Sequence, residues 1–365
     1  MTIERKVGMG IAGQPSGGAT DVADVFSTDL YTGNNTTNVI NNGIDLAGEG
    51  GMVWAKARNY SGSHTIWDTE RGVNKFLVPN GNELSETIAV TDGLKAFNSN
   101  GFTLGVNYNN ENRNLIDTVS FTFRKAPKFF DVVTYTGTGA SGLTISHNLG
   151  SVPAVMFVKC TSASGNWYVY HVSTGNQGVS LLNTTAATYT GQTDAWNSYT
   201  PTDANFKLGN ANAVNATGGT YVAYLFADNS SEDSDDQMIK CGSYTGTGAA
   251  LPINLGWEAQ WVLIKKSSGT GGWYLMDSMR GMPNGGSFNS GHGPTLFADT
   301  NAAESLAVAV YPNASGFTIN DNGSNINASG QTYIYMAIRA PMMVEPEAAT
   351  DVFAIDTRTS GHPAF

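Results

Sequence analysis

A chain of 365 residues is longer than the roughly 100–150 residues of a typical domain, so its length predicts several hydrophobic cores rather than one. With 43 glycines, 41% apolar residues and only 13% charged residues, the composition is typical of a folded, turn-rich protein and excludes a disordered one. The 19 basic and 30 acidic side chains give a formal net charge of −11, which repels phosphate backbones and argues against nucleic acid as a partner.

The first 20 residues predict an extended N-terminal arm. They contain glycines at positions 8, 10, 13, 17 and 18 and few side chains that could be buried. The arm has no apolar core of the kind that a secretory signal needs, and no stretch of the chain approaches the roughly 20 apolar residues of a membrane span. We therefore expect a protein without membrane insertion and without an export signal, made in the cytoplasm.

A long internal repeat dominates the rest of the chain. Its landmarks recur in one order: a Tyr-Thr-Gly segment, an apolar run that ends in lysine, an aromatic segment, a segment containing Phe, and a closing strand. The Tyr-Thr-Gly segment lies at 31–34, 135–139 and 244–248, and the lysine that ends the apolar run is Lys56, Lys159 or Lys265. The aromatic segment lies at 64–68, 167–171 and 273–277, and the segment containing Phe at 101–105, 205–209 and 316–319. The closing strand is predicted at 117–123, 220–227 and 332–338. Because the first landmark is offset by 104 and then 109 residues, the sequence predicts three tandem copies.

The copies divide the chain into five predicted segments. These are the N-terminal arm at 1–20, the repeats at 21–128, 129–235 and 236–341, and a C-terminal extension at 342–365. The acidic run at 230–236 is interpreted as a solvated linker rather than a cation site. The extension contains DVFAID at 351–356, which echoes DVFSTD at 24–29, so it resembles the start of a fourth copy, either as a docked terminal strand or as a shortened repeat.

Within each copy the pattern is typical of β-strands. Apolar residues alternate with polar ones or form short runs, β-branched and aromatic residues are abundant, and turn residues recur about every 8 to 12 positions. An all-β chain of three tandem β-sandwich or jelly-roll-like domains, each of about 105 residues, is therefore predicted. Helices should be scarce; the one amphipathic candidate, at 84–98, is interrupted by the sequence VTDG. Cys160 and Cys241 are expected to be free thiols in strands.

These residues resemble an uncharacterised family. The YTGTG, ISHNLG, WYVYH and GFTLG segments and the closing TYVAY strand are similar to a β-sandwich repeat domain of virion and tail-associated proteins of marine and cyanobacterial tailed phages. The resemblance covers residues 22–341, is best in the second copy, and departs at the start of the first. It implies a virion component, such as a tail fibre or an adhesin, with a fold similar to lectin-like modules. It implies no ligand and transfers no functional residue.

A D-x-x-R-G pattern at the end of the aromatic segment provides the first candidate ligand site. Asp68 and Arg71 carry it in the first copy, and Asp277 and Arg280 carry it in the third. As a functional site, each Asp–Arg pair would hydrogen-bond to sugar hydroxyls. As a structural feature, it would be a local ion pair at a strand exit, worth about 0–1 kcal/mol if exposed. The second copy lacks the pattern, so a function common to all three copies cannot depend on it.

Tryptophans are the second class of candidate, because a flat indole face can stack on a sugar ring. Trp54, Trp167, Trp261 and Trp273 lie in apolar strands and are predicted to be core residues. Trp196 and Trp257 lie among Thr, Asn and Gly residues and are predicted to be the exposed ones, available for ligand binding.

No catalytic, metal-binding or cofactor-binding motif is expected. The sequence has no nucleophile elbow and no paired carboxylates, the histidines lack metal-ligand spacing, and His147 is interpreted as a hydrogen-bonded structural residue. The chain is therefore expected not to be an enzyme. A glycan depolymerase would need two carboxylates that face one groove about 5 to 10 Å apart.

Two functions remain as sequence-based hypotheses. In the first, the arm binds other virion proteins and the repeats bind a host-surface glycan or protein, with a homo-oligomer, most plausibly a trimer, multiplying weak contacts. Its binding loops would be 107–114, 184–201 and 281–294, which are long and polar. In the alternative, the chain is a collar, tail, baseplate or capsid-decoration part that binds only other virion proteins.

Overall fold

The computed structural model describes residues 20–89, 91–232, 236–283, 287, 289–323 and 325–341. The regular secondary structure of this part of the chain consists almost wholly of antiparallel strands, so the predicted all-β class is confirmed. We refer to residues 21–128, 129–235 and 236–341 as units 1, 2 and 3. Most of the predicted arm, at 1–19, and the whole predicted C-terminal extension, at 342–365, lie outside the described residues.

The described residues of unit 1 form nine strands. They are β1 (Phe26–Thr32), β2 (Asn38–Asn41), β3 (Gly51–Ala57), β4 (Thr65–Asp68), β5 (Lys75–Phe76), β6 (Glu86–Thr87), β7 (Leu94–Asn98), β8 (Gly101–Leu104) and β9 (Asp117–Arg124).

Seven strands are present in the part of unit 2 that the structure describes. They are β10 (Phe130–Thr136), β11 (Leu143–Ser146), β12 (Pro153–Cys160), β13 (Tyr168–His171), β14 (Ser180–Leu181), β15 (Asn205–Leu208) and β16 (Thr220–Ala227).

Unit 3 contains nine strands in its described residues. They are β17 (Ile239–Thr245), β18 (Leu251–Asn254), β19 (Ala259–Lys266), β20 (Trp273–Asp277), β21 (Gly293–Phe297), β22 (Ser305–Val308), β23 (Val310–Asn313), β24 (Gly316–Ile319) and β25 (Thr332–Arg339). Helical structure in the described ranges is limited to one-turn segments, which are α1 (Val22–Val25), α2 (Asn212–Asn215) and a 3-10 turn at Val172–Thr174.

One strand order recurs in the large sheet of every unit. The orders are β1-β9-β3-β4, β10-β16-β12-β13-β14 and β17-β25-β19-β20-β21-β22, so the last long strand always lies between the first and the next long strand. A smaller sheet accompanies each large one, in the orders β2-β8-β7, β11-β15 and β18-β24-β23. In unit 1, side chains of the two sheets form one buried cluster, as expected for a sandwich.

The amphipathic helix suggested at 84–98 is wrong. The segment forms β6 and β7, and β7 pairs with β8 with a register shift between Leu94 and Ala96. Gly93 lies between β6 and β7 with a φ of 56°, which interrupts regular structure. Burial of Ile88 and Leu94 in the unit 1 cluster shows that these apolar residues face a sheet rather than a helix stripe.

Each large sheet is covered on both faces. In β3, Met52 and Trp54 belong to a core shared among the units, whereas Val53 and Ala55 belong to the cluster inside unit 1. Because side chains alternate along a strand, one face packs on the small sheet and the other on the neighbouring units. This explains why β3, β12 and β19 are buried along almost their whole length.

A shared aromatic core joins the three units. The ring of Phe123 in unit 1 lies 5.5 Å from Phe226 of unit 2 and 6.1 Å from Trp261 of unit 3, both in edge-to-face geometry. Phe26 also contacts Trp261 at 6.2 Å. Such contacts between buried rings stabilise by dispersion and favourable electrostatics beyond the buried area alone.

Backbone hydrogen bonds close the units into a ring. Between units 1 and 2, Ser85 N–H donates to the Thr161 carbonyl at 3.1 Å. The corresponding bond between units 2 and 3 joins Thr188 N–H to the Ser267 carbonyl at 3.0 Å, and that between units 3 and 1 joins Glu304 N–H to the Arg58 carbonyl at 2.7 Å. Arg58, Thr161 and Ser267 each lie two residues after a landmark lysine, so the three contacts use equivalent positions.

Candidate functional site

The first candidate pair, Asp68 and Arg71, is buried between units 1 and 2. Arg71 Nε donates to Asp68 Oδ2 at 2.6 Å, and its backbone N–H donates to Asp68 Oδ1 at 2.8 Å. Across the boundary, Tyr224 Oη donates to Asp68 Oδ2 at 2.7 Å. The Asp68 side chain is 0% exposed and that of Arg71 is 5% exposed, so the carboxylate is satisfied by protein donors.

The second candidate pair has equivalent geometry at the boundary of units 3 and 1. Arg280 Nε and backbone N–H donate to Asp277, and both side chains are 0% exposed. The guanidinium also donates to the Leu275 carbonyl and lies over the Phe121 ring, 5.9 Å from its centroid. Phe121 and Tyr224 occupy equivalent positions in β9 and β16. The pairs therefore form the local ion pairs of the structural interpretation, but buried between units rather than exposed.

The prediction that Trp196 and Trp257 are exposed is wrong. The exposed fractions of their side chains are 1% and 4%. Trp196 Nε1 donates to the Gly178 carbonyl at 2.8 Å, and Trp257 Nε1 donates to Gln237 Oε1 at 3.2 Å. The polar residues around each tryptophan in the sequence did not indicate an exposed ring, because a loop carbonyl and a glutamine side chain accept the hydrogen bonds of the buried indole N–H groups. The predicted burial of the other tryptophans is confirmed for Trp54, Trp167, Trp261 and Trp273.

The landmark lysines form a buried set whose chemistry was not recognised from the sequence. Lys159 Nζ donates to the Gly165 carbonyl at 2.6 Å and, across the boundary, to the Asn82 carbonyl of unit 1 at 3.2 Å. Lys265 Nζ makes the corresponding bonds to Gly271 and to Thr185 of unit 2. Burial lowers the pKa of Lys56, Lys159 and Lys265 to about 8. Their recurrence after an apolar run was the available signal.

The Tyr-Thr-Gly landmark is joined to the loop before the closing strand by a recurring set of contacts from its Tyr and Gly and from a buried Asn of that loop, which we call the staple. In unit 2, Tyr135 Oη donates to the Val214 carbonyl at 2.8 Å, and a Cβ on Gly137 would lie 2.3 Å from the Ala216 carbonyl oxygen. Asn215, which lies between Val214 and Ala216 in the sequence, is 0% exposed. Equivalent staples join Tyr31, Gly33 and Asn112 in unit 1 and Tyr244, Gly246 and Asn327 in unit 3.

The predicted binding loops are partly used inside the protein. In 107–114, Glu111 and Asn112 are 1% and 0% exposed. In 184–201, the Thr185 carbonyl and the Thr188 N–H bind unit 3. Of 281–294, residues 284–286 and 288 lie outside the described residues.

An open polar groove lies between units 1 and 2. Its volume is about 360 Å³, and its lining includes Glu70 and Lys75 from unit 1. Unit 2 contributes the threonines at the outer ends of its large sheet, which are Thr134, Thr136, Thr161 and Thr220. Lys125 Nζ binds Glu70 at 2.9 Å, whereas Lys75 is exposed at the rim. Several hydroxyls and one exposed ammonium group give this groove the polarity to bind a hydroxylated, anionic ligand.

The boundary between units 3 and 1 carries a bidentate ion pair at a position where the other two boundaries have uncharged side chains. Arg58 Nε and Nη2 donate to Glu304 Oε2 and Oε1 at 2.9 and 2.8 Å, and Arg280 Nη1 donates to Oε2 at 3.1 Å. Burial opposes ionisation, but hydrogen bonds and charge from both arginines hold the pKa of Glu304 below its ordinary value. The other boundaries have Ser85 and Thr188 in place of Glu304.

We expect Arg58→Met to destabilise the protein by about 1–2 kcal/mol, because a partly buried bidentate ion pair is lost. Urea denaturation of R58M, E304Q and the double variant would measure the pair by a double-mutant cycle. The matched control is Lys128→Met, which removes the more exposed pair with Glu232 and should cost less than about 1 kcal/mol. Equal losses in R58M and K128M would contradict a special role for the ring-closing pair.

Over the described ranges, no group of three His, Cys, Asp or Glu residues could hold a metal ion. Both cysteines are buried free thiols in strands, as predicted. No helix in the described part of the chain is long and apolar enough to cross a membrane.

Comparison with known proteins gives one match. A family model described as a domain of unknown function (DUF7483) matches residues 21–341, which begins where the first predicted repeat begins and ends where the third ends. No curated protein and no solved structure matches the chain.

Proposed function

We propose that this chain, which belongs to the family described as a domain of unknown function (DUF7483), is a structural, non-enzymatic part of a tailed-phage virion. The phage assignment is supported by the similarity of the repeat landmarks to virion and tail-associated proteins. Within the virion, we favour a role as an assembly part that binds other virion proteins.

One observation supports this role above the others: the side chains with binding chemistry are used to join the units. Asp68, Arg71, Asp277 and Arg280 are paired inside boundaries. Lys159 and Lys265 each bind a carbonyl group of the preceding unit. A ring of sheets with a shared core resists bending between units better than three sandwiches on linkers. This body fits a rigid spacer or connector held in the particle by the N-terminal arm.

Host attachment is the second candidate, and the groove between units 1 and 2 favours it. Its hydroxyls and the exposed Lys75 suit a glycan that carries carboxylate or sulfate groups. Glu70 is the one carboxylate in the described lining of this groove, whereas glycosidic hydrolysis ordinarily uses two. The groove therefore supports binding rather than depolymerisation.

Cryo-EM of whole particles would test the proposal. For an assembly part, we expect density at the collar, tail shaft, baseplate or capsid surface, with the groove covered by neighbouring subunits. Density at a fibre tip with a free groove would overturn this role and favour attachment. Deletion of residues 1–20 should abolish incorporation in either case, so loss of incorporation alone does not separate the two roles.

Host adsorption of assembled particles separates them further. We expect Lys75→Glu to leave adsorption unchanged if the protein is an assembly part, and to lower it if the groove binds an anionic glycan. Lys95→Glu is the matched control, because Lys95 is also exposed in unit 1 but lies outside the groove. A loss in K75E but not in K95E would contradict the assembly role.

A further inference from the structure

Two buried imidazoles lie at the two boundaries of unit 3. At the boundary with unit 1, His64 Nδ1 accepts a hydrogen bond from Trp54 Nε1 at 2.9 Å, and Nε2 lies 3.0 Å from the Phe297 carbonyl oxygen of unit 3. The His64 ring is 0% exposed. This histidine occupies the position that Trp167 and Trp273 hold in the other units.

At the boundary with unit 2, His171 has the same hydrogen-bond pattern. Its Nδ1 accepts from the Ser173 backbone N–H at 3.1 Å, and its Nε2 lies 3.1 Å from the Tyr335 carbonyl oxygen of unit 3. His171 is 2% exposed and borders a small, mostly apolar cavity of about 10 Å³ between units 2 and 3. The two imidazoles therefore bind unit 3 from opposite neighbours.

The partners of each ring fix its protonation state. Because Nδ1 faces an N–H donor, its lone pair must accept, and the single proton of the neutral ring is on Nε2, where it donates to a carbonyl of unit 3. A second proton on Nδ1 would point at the N–H of Trp54 or Ser173. Protonation is therefore incompatible with the observed contacts, and it requires each ring to leave its position.

Neighbouring positive charges oppose protonation of His64, and the negative charge near His171 does not offset the effect of burial on the pKa of that ring. Burial, and next the positive charge of Lys56, lower the pKa of His64 well below its ordinary value, and Arg280 acts in the same direction. Burial lowers the pKa of His171 to about 4, although Asp228 acts in the opposite direction. On the unit 3 side of this boundary, Glu304 is paired with arginines, and Asp299, two residues after Phe297, accepts from Trp273 N–H.

The boundary between units 1 and 2 has no corresponding imidazole. There, Trp167 Nε1 donates to the Val78 carbonyl at 2.9 Å, and an indole does not titrate. The buried Asp68–Arg71 pair and Tyr224 complete this boundary. A change in pH across the histidine range thus acts on the two boundaries of unit 3 and not equally on the third.

We propose that His64 and His171 are acid-sensitive latches, and that their protonation loosens unit 3 from both neighbours while units 1 and 2 stay joined. The aromatic core formed by Trp261 with Phe26, Phe123 and Phe226 has no titrating side chain among these four residues, so it continues to join the units when the histidine contacts open. Acid would then expose the surfaces of unit 3 that the two rings contact.

The sign of the pH dependence follows from linkage. A released imidazole titrates at about 6.5, above the value in the closed state, so the closed state loses relative stability as pH falls from about 6.5 toward the pKa of the buried ring. Protonation of Glu304 would act in the same direction, because its closed-state pKa is lowered. Burial raises the pKa of Asp299, so its protonation acts in the opposite direction.

Hydrogen exchange read at three equivalent amides would test the proposal. Between pH 7 and pH 4, after correction for intrinsic exchange rates, we expect protection of Glu304 N–H and Thr188 N–H to fall, by about a hundredfold for each latch. Ser85 N–H, at the boundary of units 1 and 2, should keep its protection. An equal fall at all three amides, or no fall at any, would overturn the proposal.

Variants locate the effect in the two rings. In His64→Gln and His171→Gln, a non-titrating amide can still donate to the carbonyl of unit 3, so the acid-dependent fall should shrink at Glu304 or at Thr188, respectively. His147→Gln is the matched control, because His147 has the same hydrogen-bond pattern inside unit 2, with Leu149 N–H and the Thr202 carbonyl. A fall that persists in H64Q and H171Q would assign the effect to other groups. If a variant does not fold, NMR titration of the two rings decides, since ordinary imidazole pKa values would contradict the latches.

Discussion

Asp68→Ala is expected to destabilise the protein by about 3–5 kcal/mol, because it leaves the guanidinium of Arg71 buried without its counter-ion. Asp68 also accepts from the Arg71 backbone N–H and from Tyr224 Oη of unit 2, so two further donors lose their partner. Urea denaturation would measure the loss, and the slope of the transition would show whether the units still unfold together.

A double-mutant cycle distinguishes the buried charge from the lost contacts. Arg71→Met alone leaves the carboxylate unpaired, whereas Asp68→Ala with Arg71→Met removes both charges and should recover part of the stability. Glu70→Gln is the matched control, since Glu70 pairs with Lys125 near the surface and should cost less than about 1 kcal/mol. A loss in D68A no greater than that in E70Q would contradict the structural role that we assign to the pair.

Asn215→Asp is expected to lower the free energy of unfolding by about 3 kcal/mol or more, because the side-chain amide of Asn215 both donates and accepts hydrogen bonds. Its Nδ2 donates to the Ala140 and Gly209 carbonyls at 2.8 and 2.6 Å, and its Oδ1 accepts from Thr138 N–H at 2.7 Å. An aspartate would place a carboxylate oxygen against two carbonyl oxygens in a site with no exposure.

Thermal denaturation of N215D and N215A would measure this effect, and the equivalent residues Asn112 and Asn327 should behave alike. The Asp variant should be the more destabilised, because alanine removes the hydrogen bonds without adding a charge. Asn176→Ala is the control, since Asn176 donates to Ser198 and Thr200 in solvent-exposed bonds and should change stability by less than about 1 kcal/mol. Similar melting temperatures for N215D and N176A would show that the staple does not stabilise the fold.

The long strands were readable from the sequence because they have a local signal. Runs such as 52–56 and 155–159 are continuously apolar up to a lysine, and the structure buries them on both faces of a sheet. The helix suggested at 84–98 failed because the same apolar residues can satisfy a period of 3.6 or a sheet face over a short segment, and pairing with β8 decided between them.

The candidate sites were misjudged for a related reason. Trp196 and Trp257 lie in polar stretches, yet each indole finds an acceptor and is covered by neighbouring chain. The Asp-Arg pattern was correctly identified as an ion pair in one interpretation, but its burial depends on Tyr224 or Phe121 from another unit. Exposure is set by residues far away in the sequence, so a local pattern does not reveal it.

The sequence by itself determined the all-β class, the recurring landmarks, the free cysteines and the burial of four tryptophans, because alternation, β-branched content and turn residues act over a few neighbouring positions. Only the tertiary structure decided that the inner faces of the large sheets meet in one core, that units 1 and 3 contact each other through Arg58 and Glu304, and that the landmark lysines are buried. The physical reason is that these contacts join residues 77 to 246 positions apart, and their free energy depends on desolvation by a partner surface that no local segment encodes.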